Sequence, residues 1–454
     1  MLFLSGHPCL MHARMPDTVR TVSSRARPRV SRPATRRVAS LVWLANAIAL
    51  YGIYFSSPAA ARDASRPSDS PPVLKKCVVS GSAAVEPDAP RRQVAAKPDI
   101  GASDATLSGS IRPVTPVTIH HLYVATTGSD ANPGGEATPF RTIQRAASVA
   151  KPSTTVHVAS GIYSENVVTK TNGNATGRIY YVSDIKWGAK IFGSGTEGTW
   201  TNFGNFTDIV GFDISGSGRL GILNWASHTN MGGNHVHHIA VSGGCTGNGG
   251  AGIMNANYSG SDNNTVGNLV HDIGVPGACN GVHGIYHSNL RGRISDNIVY
   301  RASSYGIHLW HAANKVTIAN NTVFENGSAS MGGGIVMGSG DSPGGVILDN
   351  TKVINNIVYS NPAASIKEYC YSGQRCVGSR NIIANNLVYG NGNGILLQVG
   401  TASGTIAADP EFVNYQPNGE GNYRLKRTSP ARRGTSILVW NERVGRRAQA
   451  CSTP

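Results

Sequence analysis

A five-residue phrase recurs along the second half of this chain and limits what it can fold into. It reads Val-Gly-Asn-Leu-Val at 266–270, Ser-Asp-Asn-Ile-Val at 295–299, Ala-Asn-Asn-Thr-Val at 319–323, Ile-Asn-Asn-Ile-Val at 354–358 and Ala-Asn-Asn-Leu-Val at 384–388. A second phrase, Gly-Ile, falls between the copies at Gly252-Ile253, Gly284-Ile285, Gly306-Ile307, Gly334-Ile335 and Gly394-Ile395, with Ser365-Ile366 as a variant. The anchors Asn268, Asn297, Asn321, Asn356 and Asn386 are 29, 24, 35 and 30 residues apart. Self-similarity at such a period marks stacked repeats. Uneven steps around a constant phrase mean a fixed coil with loops of varying length. Apolar residues alternate as in strands, and the heptads or leucine and alanine periodicities of helical and leucine-rich arrays are absent. The pattern predicts an all-β, right-handed parallel β-helix of about seven to nine coils. Ile253, Ile285, Ile307, Ile335, Ile366 and Ile395 should form one buried stack.

Adjacent coils lie about 4.8 Å apart, so equivalent residues form ladders. Asparagines in a ladder hydrogen-bond to the copies above and below. The anchors form one such ladder, and Asp296, Asn320, Asn355 and Asn385 a second beside it. Asp272, Arg301 and Glu325 share the fourth position after the anchor and alternate in charge, which predicts a surface salt-bridge ladder.

The net charge of +15 over 454 residues does not mark a nucleic-acid binder. Residues 1–61 carry +7 and residues 424–447 another +7, leaving +1 for everything between. A nucleic-acid groove needs a continuous basic stripe, and the repeat body has none. Residues 1–61 read as a basic leader with an apolar run at 38–56 and small residues after it: a secretory signal, or an uncleaved membrane anchor. Either places the protein outside the cytoplasm, secreted, periplasmic or at the cell surface. Residues 62–118 are a Pro-, Ala- and Ser-rich linker, residues 119–426 the β-helix, and 427–454 an irregular basic tail. A monomer is expected.

Cysteine usage fits an oxidising compartment. Cys370 and Cys376 are close enough to bridge a loop. Cys245 and Cys279 each stand eleven residues beyond an anchor, Asn234 and Asn268, so adjacent coils would bring them to disulfide distance.

The folded part begins near His121. A strand, a polar turn, a short amphipathic helix at 142–150 and strands at 155–159 and 166–168 follow, and a helix over the first coil would cover its open end. The stretches Tyr123–Asp130, Pro139–Ala146 and Val156–Tyr163 resemble the N-terminal module of secreted β-helix proteins of the pectate-lyase type, nearest polysaccharide lyase family nine. Asp409-Pro410-Glu411-Phe412, Tyr423-Arg424-Leu425 and Ser429-Pro430-Ala431 resemble their C-terminal coil. The resemblance implies a carbohydrate-active protein whose partner is an acidic polysaccharide. Lyases of this kind use a Lys or Arg base, with Ca²⁺ to acidify the proton removed. Calcium needs clustered oxygen ligands, whereas Asp262, Asp272, Asp296 and Asp341 are scattered among different coil positions. No metal site is assigned.

The Gly-Ile register places the site candidates. Side chains alternate along a strand, so the second and fourth residues after the glycine face outward. Tyr286, His308 and Lys367 hold the second position, and Ser288, Trp310 and Tyr369 the fourth. These six would share one exposed face, with Lys367 as the candidate base, His308 as its partner at the substrate carboxylate or leaving oxygen, and Trp310, Tyr369, Tyr286 and Ser288 binding the sugar. His287 should point inward as a core histidine; with His283 and His311 it gives a histidine-rich impression rather than a metal motif. The alternative is a non-catalytic glycan-binding or cell-surface β-helix. A hydrolase would need two carboxyls about 5–9 Å apart, and none can be nominated.

Overall fold

The computed structural model describes residues 119–241 and 249–434. The leader, the linker, Cys245 and the last twenty residues lie outside them. Three parallel sheets wind right-handed about one core: a first sheet of eleven strands, and a second and a third of nine strands each. The chain visits the first, third and second sheet in turn and then repeats. Nine strands in the second sheet agree with the upper end of the coil count expected.

The isoleucine stack is present in register. Ile253, Ile285, Ile307, Ile335, Ile366 and Ile395 pair strand to strand in the second sheet. The first five are fully buried. Ile395 is half-buried, because its coil is the last in that sheet and has a neighbour on one side only. The preceding glycine also faces the core. A Cβ at Gly252 would lie 2.6 Å from Val270 Cγ1, and one at Gly334 2.4 Å from Val358 Cγ1. The second strand therefore passes too close to the third-sheet valine for a larger residue without adjustment.

Each turn of the coil has its own polar ladder. At the corner between the first and third sheets, the anchor amides run Asn234, Asn268, Asn297, Asn321, Asn356, Asn386, each Nδ2 donating to the next Oδ1 at 2.9–3.2 Å. Asn326, Asn361 and Asn391 do the same between the third and second sheets. Asn202, Asn224 and Asn255 do so at the end of the second, where His287 continues the row. All three anchor neighbours Asn320, Asn355 and Asn385, with Asp296, have φ between 55° and 59°. That left-handed conformation is one Asn, Asp and Gly tolerate best, which explains the second asparagine row. Asp272, Arg301 and Glu325 are also left-handed. Their charge ladder forms only in part. Arg301 Nε meets Asp272 Oδ1 at 2.7 Å, but Glu325 instead accepts a 2.7 Å hydrogen bond from the Tyr415 hydroxyl.

The capping helix spans Ile143–Val149 and buries Ile143, Ala146 and Ala147. Thr142 caps it, and the Glu165 carboxylate accepts from the Ile143 and Gln144 N–H groups at 2.9 Å each, so the first-turn donors are satisfied. At the other end, Phe412–Asn414 and Asn422–Leu425 pair antiparallel, so this segment is not a further coil. Its rings cover the outer face of the third sheet, with Tyr415 4.8 Å from Tyr359 and Tyr423 4.7 Å from Phe324 between centroids. Ser429 and Ala431 are buried, so packing extends past Lys426. The Cys370–Cys376 disulfide is formed, with Cα atoms 5.7 Å apart. The expected Cys245–Cys279 bridge falls outside the described residues at Cys245; Cys279 is buried.

Candidate functional site

The outer face of the second sheet carries a continuous field of rings. Tyr286 and His308 are cross-strand partners, followed by Val336 and Lys367 in the same row. Trp310 stacks on Tyr369 at 5.6 Å and meets Tyr371 edge-on at 5.5 Å. Lys367 Nζ lies 5.0 Å from the Tyr369 centroid, a cation–π contact. The structure thus brings His308, Trp310, Lys367 and Tyr369 to one face, with Tyr286 at its end.

Exposure differs from the expectation. Tyr286 and Trp310 are buried at 8% and 5% exposure, and Ser288 is fully buried with its hydroxyl donating to Asn255 O at 2.7 Å. Neighbouring side chains cover them: Tyr286 packs against His283 and His311, and Trp310 against Tyr371, which belongs to the Cys370–Cys376 loop. His308, Lys367, Tyr369 and Tyr371 remain half-buried, and Tyr258, stacked near His311, is exposed. Strand alternation says which way a residue points and nothing of what lies over it.

His283 and Tyr305 also join the face. Because the glycine turns inward, the residue before it comes outward, the position that also holds Leu220 and Ala251. His283 Nε2 is 2.9 Å from His308 Nδ1, while His283 Nδ1 is buried without a partner. If His283 Nε2–H is the donor, the orphaned atom is a lone pair and no N–H is left unpaired. His308 Nε2–H is then available as a donor. Burial pushes His283 down to about 3 and His308 well below the usual histidine range, with the charges of His283 and His311 adding to the effect on His308. Both rings are therefore neutral near pH 7, so His308 acts as a hydrogen-bonding group and not as a countercharge. His287 points inward and is satisfied, its Nε2 3.0 Å from Arg291 O.

The donor set does not suit calcium. The face offers imidazole, phenol and indole, and calcium wants several oxygens. The scattered acids are engaged elsewhere. Asp262 pairs with Arg291 at 2.6 Å, Asp272 with Arg301, and Asp341 accepts from Gln374 at 3.2 Å.

Three parallel sheets around an isoleucine and valine core, with a capping helix at one end and a ring-lined outer face, define a right-handed parallel β-helix. A family described as a protein of unknown function, DUF1565, matches residues 126–170, the capped first coil. No curated protein matches the chain. Among solved structures it is similar to pectate lyase Pel9A, at 14% identity and a TM-score of 0.49 over 69% of this chain and 91% of that one. It is similar to a rhamnogalacturonan lyase at 16% identity and 0.48, over 68% and 97%. It is also similar to an alginate lyase from Paenibacillus sp. at 17% identity and 0.38, over 58% and 96%.

Proposed function

We propose that this chain is an exported carbohydrate-active protein that takes a polysaccharide along the outer face of its second sheet and cleaves it by β-elimination. The observation that carries the reading is the position of Lys367, held against Tyr369 and beside the Trp310 stack, on a face of rings and aliphatic side chains whose histidines His283 and His308 are neutral. Aromatic faces stack on sugar rings, and polar edges read hydroxyls. Lys367 Nζ would remove the proton beside a uronate carboxylate. The electrons of that bond form the carbon–carbon double bond as the glycosidic oxygen leaves with its bonding pair; the His308 Nε2–H hydrogen-bonds to that oxygen, which takes its proton from solvent, and Lys367 returns the abstracted proton to solvent. An acidic polymer suits a site whose ionic group is a lysine. Among the described residues no helix is long and apolar enough to cross a membrane.

A second reading, glycan binding without turnover, draws support from the burial of Tyr286, Ser288 and Trp310, which leaves the rim residues Tyr258, Tyr369 and Tyr371 to meet a ligand. Incubation of the purified protein with uronate polymers, with and without calcium, separates the two. Rising absorbance from an unsaturated product supports elimination. Binding without that product supports the second reading, and neither activity rejects both.

A further inference from the structure

The third sheet carries a separate cluster, on a different face from the ring-lined one. His235 and His237 alternate on the strand His235–Ile239, so both point outward, and His271 is the register partner of His237 on the next coil. One ring nitrogen from each of the three lies within 4.8 Å of the other two. Asp213, on the preceding coil, holds two of the rings with its two oxygens: Oδ2 to His235 Nδ1 at 2.9 Å and Oδ1 to His237 Nε2 at 3.0 Å. Asp272 Oδ2 holds His271 Nδ1 at 2.7 Å, and its other oxygen is fixed by Arg301. Tyr300 stacks flat on His271 at 4.6 Å, and Trp187 lies 4.9 Å from His235.

These carboxylates fix the tautomers. An ionised carboxylate only accepts, so His235 and His271 each place their hydrogen on Nδ1. Their Nε2 atoms are then lone-pair nitrogens, and these face each other 2.7 Å apart. Two lone pairs at that distance repel unless a proton or a metal ion sits between them. We infer that His235, His271 and His237 form a binding site for a divalent transition-metal ion of the zinc class. Imidazole donors suit zinc, copper and nickel, whereas magnesium and calcium prefer oxygen. Two nitrogens bound tetrahedrally at roughly 2.0–2.1 Å stand about 3.3 Å apart, so His235 and His271 need spread by only about 0.6 Å. Asp213 and Asp272 then act as the outer carboxylates that orient metal-bound histidines. The three side chains retain 11–19% exposure, which leaves an entry path and a coordination position for water or a ligand.

The test uses the whole exported protein, stripped with a chelator and titrated with zinc by calorimetry and with cobalt by visible absorbance. One ion per chain is expected, with cobalt showing low-coordinate bands that zinc abolishes. His271→Ala and His235→Ala should each weaken zinc binding at least about a hundredfold, and Asp213→Asn by roughly 10–100-fold, with far-UV dichroism unchanged. Should any histidine variant fail to fold, His271→Gln and Asp213→Asn still decide the matter. No stoichiometric zinc or cobalt binding by the wild type overturns the site, as does a His235→Ala/His271→Ala variant that binds like the wild type.

Discussion

The indole of Trp310 crosses Gly338 to stack on Tyr369, with ring centroids 5.6 Å apart and planes inclined by 23°. A Cβ at position 338 would lie 2.4 Å from Trp310 Cζ3, so the glycine makes the crossing possible. The stack joins two coils that are not adjacent, and it holds the ring field together. Ring pairs of this kind contribute roughly 0.5–1.5 kcal/mol each beyond burial. Trp310→Ala breaks its pairs with His308, Tyr369 and Tyr371. It should therefore raise the Kd for a uronate oligomer about tenfold or more, with Trp310→Phe intermediate. Equal affinity in isothermal titration would remove the platform from the account.

Lys367→Ala should abolish release of unsaturated product while leaving the thermal midpoint close to wild type, since the ammonium is half-exposed and its one ring contact is cation–π. Turnover that survives this change would exclude Lys367 as the base.

Acid should unfold the protein in a histidine-dependent way. Burial pushes His283 down to about 3 and His287 to about 4 in the folded chain, against about 6.5 when unfolded. As pH falls, the unfolded chain takes up these protons first. The stability is therefore fully present above about pH 6.5 and is lost as pH falls toward the folded values, by about 1.4 kcal/mol per pH unit for each histidine. His287→Asn continues the row from Asn255 and removes one titrating group. Urea unfolding between pH 6 and 4 should show a slope shallower by one proton; an unchanged slope would contradict the burial of His287.

Asn321 carries four hydrogen bonds to neighbouring coils. Its amide donates to Asn356 Oδ1 and Ile294 O, and its oxygen accepts from Asn297 N and Nδ2. Asn321→Ala leaves buried groups without partners at about 1–3 kcal/mol each. A loss of about 3 kcal/mol or more is expected in denaturant unfolding, and a loss under 1 kcal/mol would show that the ladder is ornamental.

Cys370→Ser/Cys376→Ser frees the loop that presents Tyr371 to Trp310. Weaker oligosaccharide binding with little change in the unfolding midpoint is expected. Binding by the double variant that matches wild type would show that Tyr371 is held without the bridge.

The coil was legible because it repeats. Asparagine anchors, inward isoleucines and the capping helix at 142–150 each carry a local reason that survives without neighbours. Ile395 departs because it ends its sheet, a fact about the stack and not about its own phrase. The site was legible only in direction. Reading strict alternation from the glycine missed that Gly284 faces the core, and so missed His283 and Tyr305 on the outer face. The cover over Tyr286 and Trp310 comes from residues as distant as Tyr371, and no local pattern announces it. The His235, His237 and His271 cluster did leave a signal. His237 and His271 both stand three residues after an anchor, Asn234 and Asn268, and His235 alternates with His237.

The uniform asparagine bonding has a consequence for how such a chain changes length. Each anchor presents the same donors and acceptors above and below, so an inserted coil would find the partners its neighbours already have. The step from Asn202 to Asn224 shows that 22 residues suffice for one coil. Tandem duplication of a segment that size would extend the outer face by about 4.8 Å and leave every existing core contact but one seam as it was. The reach of that face therefore changes in whole-coil increments, by copying rather than by redesign.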